Sequence, residues 1–125
     1  VAGQRSRPRG QLEQAVLDAL WAPDAHDGLT ARAILESFPE PRPALTTVLT
    51  VLDRLGRKGT VTRHEHADAA LTFRAAHSRA DHTASLMNSA LAASTDREAA
   101  LLQFTGSLAS DDLDALRRAI DAHRG

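Results

Sequence analysis

A mainly α chain with one small β hairpin, in which a compact N-terminal part is followed by a run of amphipathic helices, is the fold that three features of the sequence predict. The first is an apolar stripe, Val48, Val51, Leu52 and Leu55, spaced i, i+3, i+4 and i+7 within Ala44–Gly59. At about 100° per residue these four share one helix face, which must be buried. The second is a switch to alternation directly afterwards, with Val61 and then Leu71 and Phe73 turned inward, the pattern of a two-stranded hairpin. The third is the return of the helical repeat from Ser78 to the end of the chain.

Val1 to Gly10 contains Arg5, Arg7, Arg9, Pro8 and two glycines with no periodicity, so residues 1–10 read as a flexible basic arm. Gln11 to Trp21 then places Leu12, Ala15, Val16, Ala19 and Leu20 on one helix face, with Trp21 closing the core and the Ala22-Pro23 pair ending the helix. Leu29 is a short extended residue and Thr30 an N-cap for a second helix, whose stripe is Ala31, Ile34, Leu35 and Phe38. Pro39-Glu40-Pro41-Arg42-Pro43 cannot continue that helix and sets a stiff turn before the next. Two helices crossing over a short turn, the second polar on its outer side, make the helix-turn-helix arrangement that lays the second helix in a DNA major groove.

That helix is bounded at both ends: Pro43 suits its start, and Gly59, after the cationic turn of Arg57 and Lys58, suits a left-handed C′ position. The hairpin, with strands from Thr60 to Glu65 and through Leu71 and Phe73 and a break at Ala67-Asp68-Ala69-Ala70, is the wing. Residues 11–77 are therefore expected to form a winged helix-turn-helix DNA-binding domain. Residues 78–125 are expected to form a helical dimerisation domain in three segments. These carry Ala84, Met87, Ala90 and Leu91, then Ala100, Leu101, Phe104 and Leu108, then Leu113, Leu116, Ala119 and Ile120, with Ser107 or Ser110 capping the last. Short Ala-rich stripes make a poor core alone and call for a second copy of the chain.

With 125 residues, 42% of them hydrophobic and only 3% aromatic, the chain can bury a modest core of Leu, Val and Ala. No run approaches the roughly 18 to 20 apolar residues of a membrane span, which points to the cytoplasm. There is no Cys, so disulfides, thiolate metal sites and Cys nucleophiles are excluded. A net charge of −1 argues against a nonspecific nucleic-acid binder, but residues 1–78 carry +1 and residues 79–125 carry −2, and Arg54, Arg57, Lys58 and Arg63 form a block without an acid.

The outer face of the third helix gathers Thr46, Thr50, Asp53 and Arg57, with Thr47 and Arg54 at its edges. Arg54 suits a guanine edge or a phosphate, and the threonines suit phosphate oxygens or a thymine methyl. Arg57 and Lys58 are candidate phosphate contacts, as are Arg63 and Arg74 on the arms of the wing. Six His, including the His64-x-His66 pair, raise the question of a metal, but no ligand set is complete and a metal-free surface pair is expected. No phosphate-binding glycine loop, Gly-x-Ser-x-Gly elbow or paired-His helix is present, so neither an enzyme nor a cofactor is expected.

Thr46-Thr47-Val48, Thr50-Val51-Leu52, Arg54-Leu55 and Lys58-Gly59 resemble the recognition helix of the penicillinase and methicillin-resistance repressors, the BlaI/MecI/CopY family. The likeness runs from about Leu12 to His123 and is dense between Leu29 and Val61. It implies a homodimeric winged-helix repressor of an operator with inverted-repeat half-sites, controlling genes of antibiotic or cell-wall stress. Its partners would be double-stranded DNA, a second copy of the chain through Met87, Leu91, Leu101, Phe104, Leu108, Leu113, Leu116 and Ile120, and a membrane metalloprotease linked to a sensor. Release in the penicillinase branch is by cleavage of an Asn-Phe bond; the aligned residues here are Gln103 and Phe104, with Gln in place of Asn. Two further departures are Ala69, where the family has a basic residue near the wing tip, and the lack of the cysteines that copper-responsive members use. Read from the residues alone, a protein-binding winged helix and a His-based metal-responsive repressor remain as alternatives.

Overall fold

The structure is a computed structural model that describes residues 9–124. The expected basic arm lies outside the described residues apart from Arg9 and Gly10, which open the first helix. In chain order the elements are α1 (Arg9–Trp21), a 3-10 turn (Pro23–Ala25), α2 (Ala31–Glu36), α3 (Leu45–Arg57), β1 (Val61–His66), β2 (Ala69–Ala75), α4 (Arg79–Ala92), α5 (Arg97–Ser107) and α6 (Ser110–Arg124). The chain is mainly α with a small antiparallel hairpin, a winged helix followed by a C-terminal helical region. It divides into two compact units, one ending at His82 and the other beginning at Thr83.

In the first unit the α3 stripe is buried as its spacing requires, with Val48, Val51, Leu52 and Leu55 each at most 3% exposed. Leu12, Val16, Leu17 and Leu20 of α1, Ile34 and Phe38 around α2, and Val61 and Phe73 of the hairpin complete one core with them. Leu17 lies outside the stripe read from the sequence, yet it is 1% exposed. Thr30 caps α2 as expected, its hydroxyl accepting from the Ala33 amide at 3.1 Å. Helix α2 stops at Glu36, two residues before the last member of its stripe, so Phe38 enters the core from the turn. That turn is organised by Arg42, whose guanidinium donates to the carbonyls of Phe38 and Glu36, both at 3.0 Å.

The end of α3 is fixed by its backbone. Lys58 is the C-cap, Gly59 has φ +79°, the Gly59 amide donates to Gly56 O at 3.1 Å, and the Thr60 amide reaches back to Leu55 O at 2.9 Å. This paired closure is the Schellman arrangement, and it delivers the chain into β1 with no intervening loop. The wing differs from the sequence reading. Its turn is only Ala67-Asp68, with Ala69 and Ala70 inside β2, and a register shift between His64 and His66 leaves two residues, Ala70 and Leu71, opposite Glu65 alone. A bulge of this kind accommodates a tight turn that has no glycine and no residue at positive φ. Leu29 adds a third, one-residue strand, exchanging hydrogen bonds of 3.0 and 2.8 Å with Phe73. Gly28 makes this possible: at φ +95°, a Cβ there would stand 3.3 Å from Phe73 O and 3.2 Å from the Thr72 hydroxyl.

The first unit continues past residue 77 because the start of α4 is fastened to α1. Trp21 Nε1 donates to His77 O at 2.8 Å, Arg79 stacks 4.8 Å from the Trp21 ring and pairs with Asp18 at 2.7 Å, and His82 lies against the same ring. The second unit is the rest of α4 with α5 and α6, and none of its described side chains is buried. Asp96 caps α5 by accepting from Ala99 N at 3.1 Å. Neither expected serine caps α6: Ser110 is its first residue, and Ser107 bonds back to Phe104 O within α5.

Replacing Gly59 by Ala should cost about 1 to 2 kcal/mol, the penalty for a Cβ in the left-handed region. Urea unfolding of the full chain measures it, and an unchanged midpoint would show that the α3–β1 junction adopts another conformation.

Candidate nucleic-acid interface

Burial of one α3 face decides what the others offer. Opposite the core stripe stand Thr46, Thr50, Asp53 and Arg57, all exposed. Arg57, its side chain 80% exposed, pairs with Asp53 at 3.0 Å in an i, i+4 bridge, which holds the guanidinium along the helix while leaving it open to solvent. The Thr50 hydroxyl donates to Thr46 O at 2.9 Å. Its proton is thereby committed to the helix, and it presents outward an acceptor lone pair and a methyl group.

One edge of α3 faces α1 and carries Thr47, Arg54 and Lys58. Arg54, assigned the leading base-reading role from its sequence position, is turned away from the outer face. Its side chain is 29% exposed and its Nη1 lies 3.5 Å from Glu13 of α1. Lys58 meets the same carboxylate at 3.1 and 3.4 Å. The residues sit at the rim of the stripe, where a rotation of a few tens of degrees separates the groove side from a neighbouring helix, and spacing within one helix cannot say which neighbour is there.

The other edge faces the wing. Leu49, Gly56 and Arg57 of α3 and Arg63 and Leu71 of the hairpin line an open groove of about 490 Å³. Arg63 sits on the α3 side of the hairpin, opposite Phe73 in the register, and is exposed. Arg74 is paired with Thr62 and therefore lies on the other side, where its Nη2 donates to Asp27 O at 3.4 Å. The structure thus brings Thr46, Thr47, Thr50, Arg54, Arg57, Lys58 and Arg63 together around α3 and leaves Arg74 behind the wing. Arg74 is exposed there and its hydrogen bond ties the wing to the Asp27 loop.

His64 and His66 share a hairpin face but each is engaged by a threonine, His64 Nε2 with the Thr62 hydroxyl and His66 Nε2 with that of Thr72, both at 2.9 Å. Among the described residues no group of three His, Cys, Asp or Glu could hold a metal. In the second unit Met87, Leu101, Phe104 and Ile120 are exposed, Leu91, Leu108, Leu113 and Leu116 are half-buried, and Leu86 and Leu102, which the stripe reading omitted, are exposed as well. Gln103 and Phe104 lie in the middle of α5. No helix among the described residues is long and apolar enough to cross a membrane.

The chain that forms this helix, braced by two others and flanked by a short hairpin, is similar in sequence to known proteins. The penicillinase repressor profile matches residues 9–122. The chain belongs to the penicillinase repressor family. It is 40% identical over 115 residues to the transcriptional regulator BlaI of Mycobacterium tuberculosis, in both strain CDC 1551 / Oshkosh and strain ATCC 25618 / H37Rv, covering 89% of this chain and 81% of the relative. The match takes in both units, from the opening of α1 to the last turn of α6. The resemblance drawn from the α3 residues therefore holds for nearly the whole chain.

Proposed function

We propose that this DNA-binding repressor acts as a homodimer on an operator of two inverted half-sites, and that the outer face of α3 enters the major groove. The observation that carries the reading is that face: Thr46, Thr50 and Arg57 stand exposed, with Thr47 half-buried at its edge, on a helix whose other side is locked into the core. Recognition helices of this kind meet base edges with their N-terminal residues. Thr46, Thr47 and Thr50 occupy that end, so base contacts fall to them. Arg54, Arg57 and Lys58 occupy the C-terminal half and Arg63 the facing wing arm, where they suit phosphates that set register without reading sequence.

Dimerisation is supported by the second unit. Three amphipathic helices without a single buried side chain expose Leu86, Met87, Leu101, Leu102, Phe104 and Ile120, with Leu102 at 66%. Apolar side chains so grouped gain by burial against a second copy. Two-fold pairing would space the half-site centres by about one DNA turn or a multiple of it. Release would follow from cutting α5 at Gln103–Phe104, since loss of the dimer removes the advantage that one bound half-site confers on the other. Such a cut requires α5 to open locally, which its 11-residue length, Gly106 and lack of buried side chains favour. A sensor-linked membrane metalloprotease is the partner this reading requires.

Thr46→Ala should weaken binding to a duplex selected by the wild-type protein by about 1 kcal/mol and leave random DNA unaffected. Arg57→Ala should weaken both alike and flatten the salt dependence by about 0.9 per half-site. Fluorescence anisotropy across a salt series measures both, and an unchanged selected-duplex affinity in Thr46→Ala with an unchanged salt slope in Arg57→Ala would count against α3 as the reading element.

In sedimentation, a Leu102→Asp, Phe104→Asp double variant should run as a monomer with the first unit still folded. A dimer that survives both charges would move the interface elsewhere.

Repressor recovered from induced cells should appear as a fragment ending at Gln103. Full-length protein in fully induced cells would exclude cleavage as the release step.

A further inference from the structure

Glu13 stands apart from every residue so far given a role in DNA binding, because it belongs to α1 and is an acid. Its side chain is only 16% exposed, and its two oxygens serve both cations on the α1 edge of α3: Lys58 Nζ at 3.1 and 3.4 Å and Arg54 Nη1 at 3.5 Å. The fold has little need of this ion pair, since α1 and α3 are already joined through Leu12, Val16, Leu17, Val48, Val51 and Leu52 in one core. Two cations around one carboxylate leave a net charge of +1 at an edge that would otherwise present +2. They also leave both long side chains held in place rather than free to search.

We propose that Glu13 is a specificity-determining positioning residue, which restrains Arg54 and Lys58 so that DNA of arbitrary sequence gains less from them. The inference rests on the DNA-binding reading above. Binding to random DNA is almost wholly electrostatic, and each cation given to a phosphate adds about 0.9 to the slope of log affinity against log salt. A cation that must leave a carboxylate to meet a phosphate exchanges one ion pair for another and adds less. Lys58, 53% exposed, can make that exchange, whereas Arg54, at 29%, stays with Glu13. On a matched operator the threonines fix the register, so a phosphate meets Lys58 where Glu13 already holds it, and preorganisation favours the complex. On random DNA the register varies, and a held cation cannot follow it.

The test compares wild type with Glu13→Gln, Glu13→Ala and Glu13→Asp, using a random-sequence duplex and a duplex selected from a random pool by the wild-type protein. Gln is nearly isosteric and Ala is the best helix former, so either neutral variant decides the matter if the other fails to fold. Expected for both is tighter binding to the random duplex and a salt slope steeper by about 0.9 per half-site, read as a threefold to fourfold larger loss of affinity per half-site, or roughly tenfold for the dimer, between about 50 and 200 mM salt. The ratio of selected to random affinity should fall at least threefold, and Glu13→Asp should restore the wild-type slope. A slope on random DNA unchanged in the neutral variants, with a lowered unfolding midpoint, would make Glu13 a fold brace and overturn the proposal. Salt-dependent binding by the wild type comes first: its absence would remove the DNA-binding reading itself, whereas its presence with unchanged variants removes only the role of Glu13.

Discussion

Everything in the first unit depends on the burial of four α3 side chains. Once Val48, Val51, Leu52 and Leu55 are seated against α1, α2 and the hairpin, the rotation of the helix about its axis is set, and with it the surroundings of every other residue it carries. Thr46, Thr50 and Arg57 have nowhere to go but outward; Arg54 and Lys58 are brought against α1; Leu49 and Gly56 are brought against the wing. The apolar contact is nonspecific in its chemistry. Its consequence is nonetheless a particular division of polar groups into three edges, each with a different neighbour.

The sequence made α3 readable to within about a residue at each end, because a clean stripe, a preceding proline and a following glycine all agreed on it. What stayed hidden were relations between elements. Nothing within α3 could place Glu13 beside Arg54, and Leu17 was missed because α1 is gripped more widely than a single stripe allows. The position of Arg74 away from α3 was hidden for a related reason: alternation along one strand gives faces, but which face meets α3 follows from the pairing of Arg74 with Thr62 and of Phe73 with Arg63, and that needs the register. In the wing turn, four consecutive residues of low β propensity looked like a loop, whereas backbone pairing recruited Ala69 and Ala70 into β2 and left a bulge to absorb the mismatch. Arg42 was invisible because its partners are carbonyl oxygens, which every residue has.

The two units solve the problem of small size in different ways. The first encloses a dozen apolar side chains among three helices and a hairpin and buries them within one chain. The second, made of Ala-rich helices, encloses none among its described residues. Helices with only intrinsic propensity to sustain them are marginal at 11 to 15 residues. On the proposed dimer reading their persistence draws on contacts with a second copy, and a half of the protein whose stability is so shared is the half in which a local change has the widest effect.

Trp21 is the one tryptophan of the chain, and there is no tyrosine. Its indole donates to His77 O, lies under the Arg79 guanidinium and faces the His82 ring, so it touches the stretch of backbone where β2 gives way to α4 and little else that could emit. The protein thereby carries a built-in optical probe of that joint. Ultraviolet emission from the unlabelled molecule reports the environment of a single ring, and any event that loosens the first turn of α4 from α1 will register there without background from elsewhere in the fold.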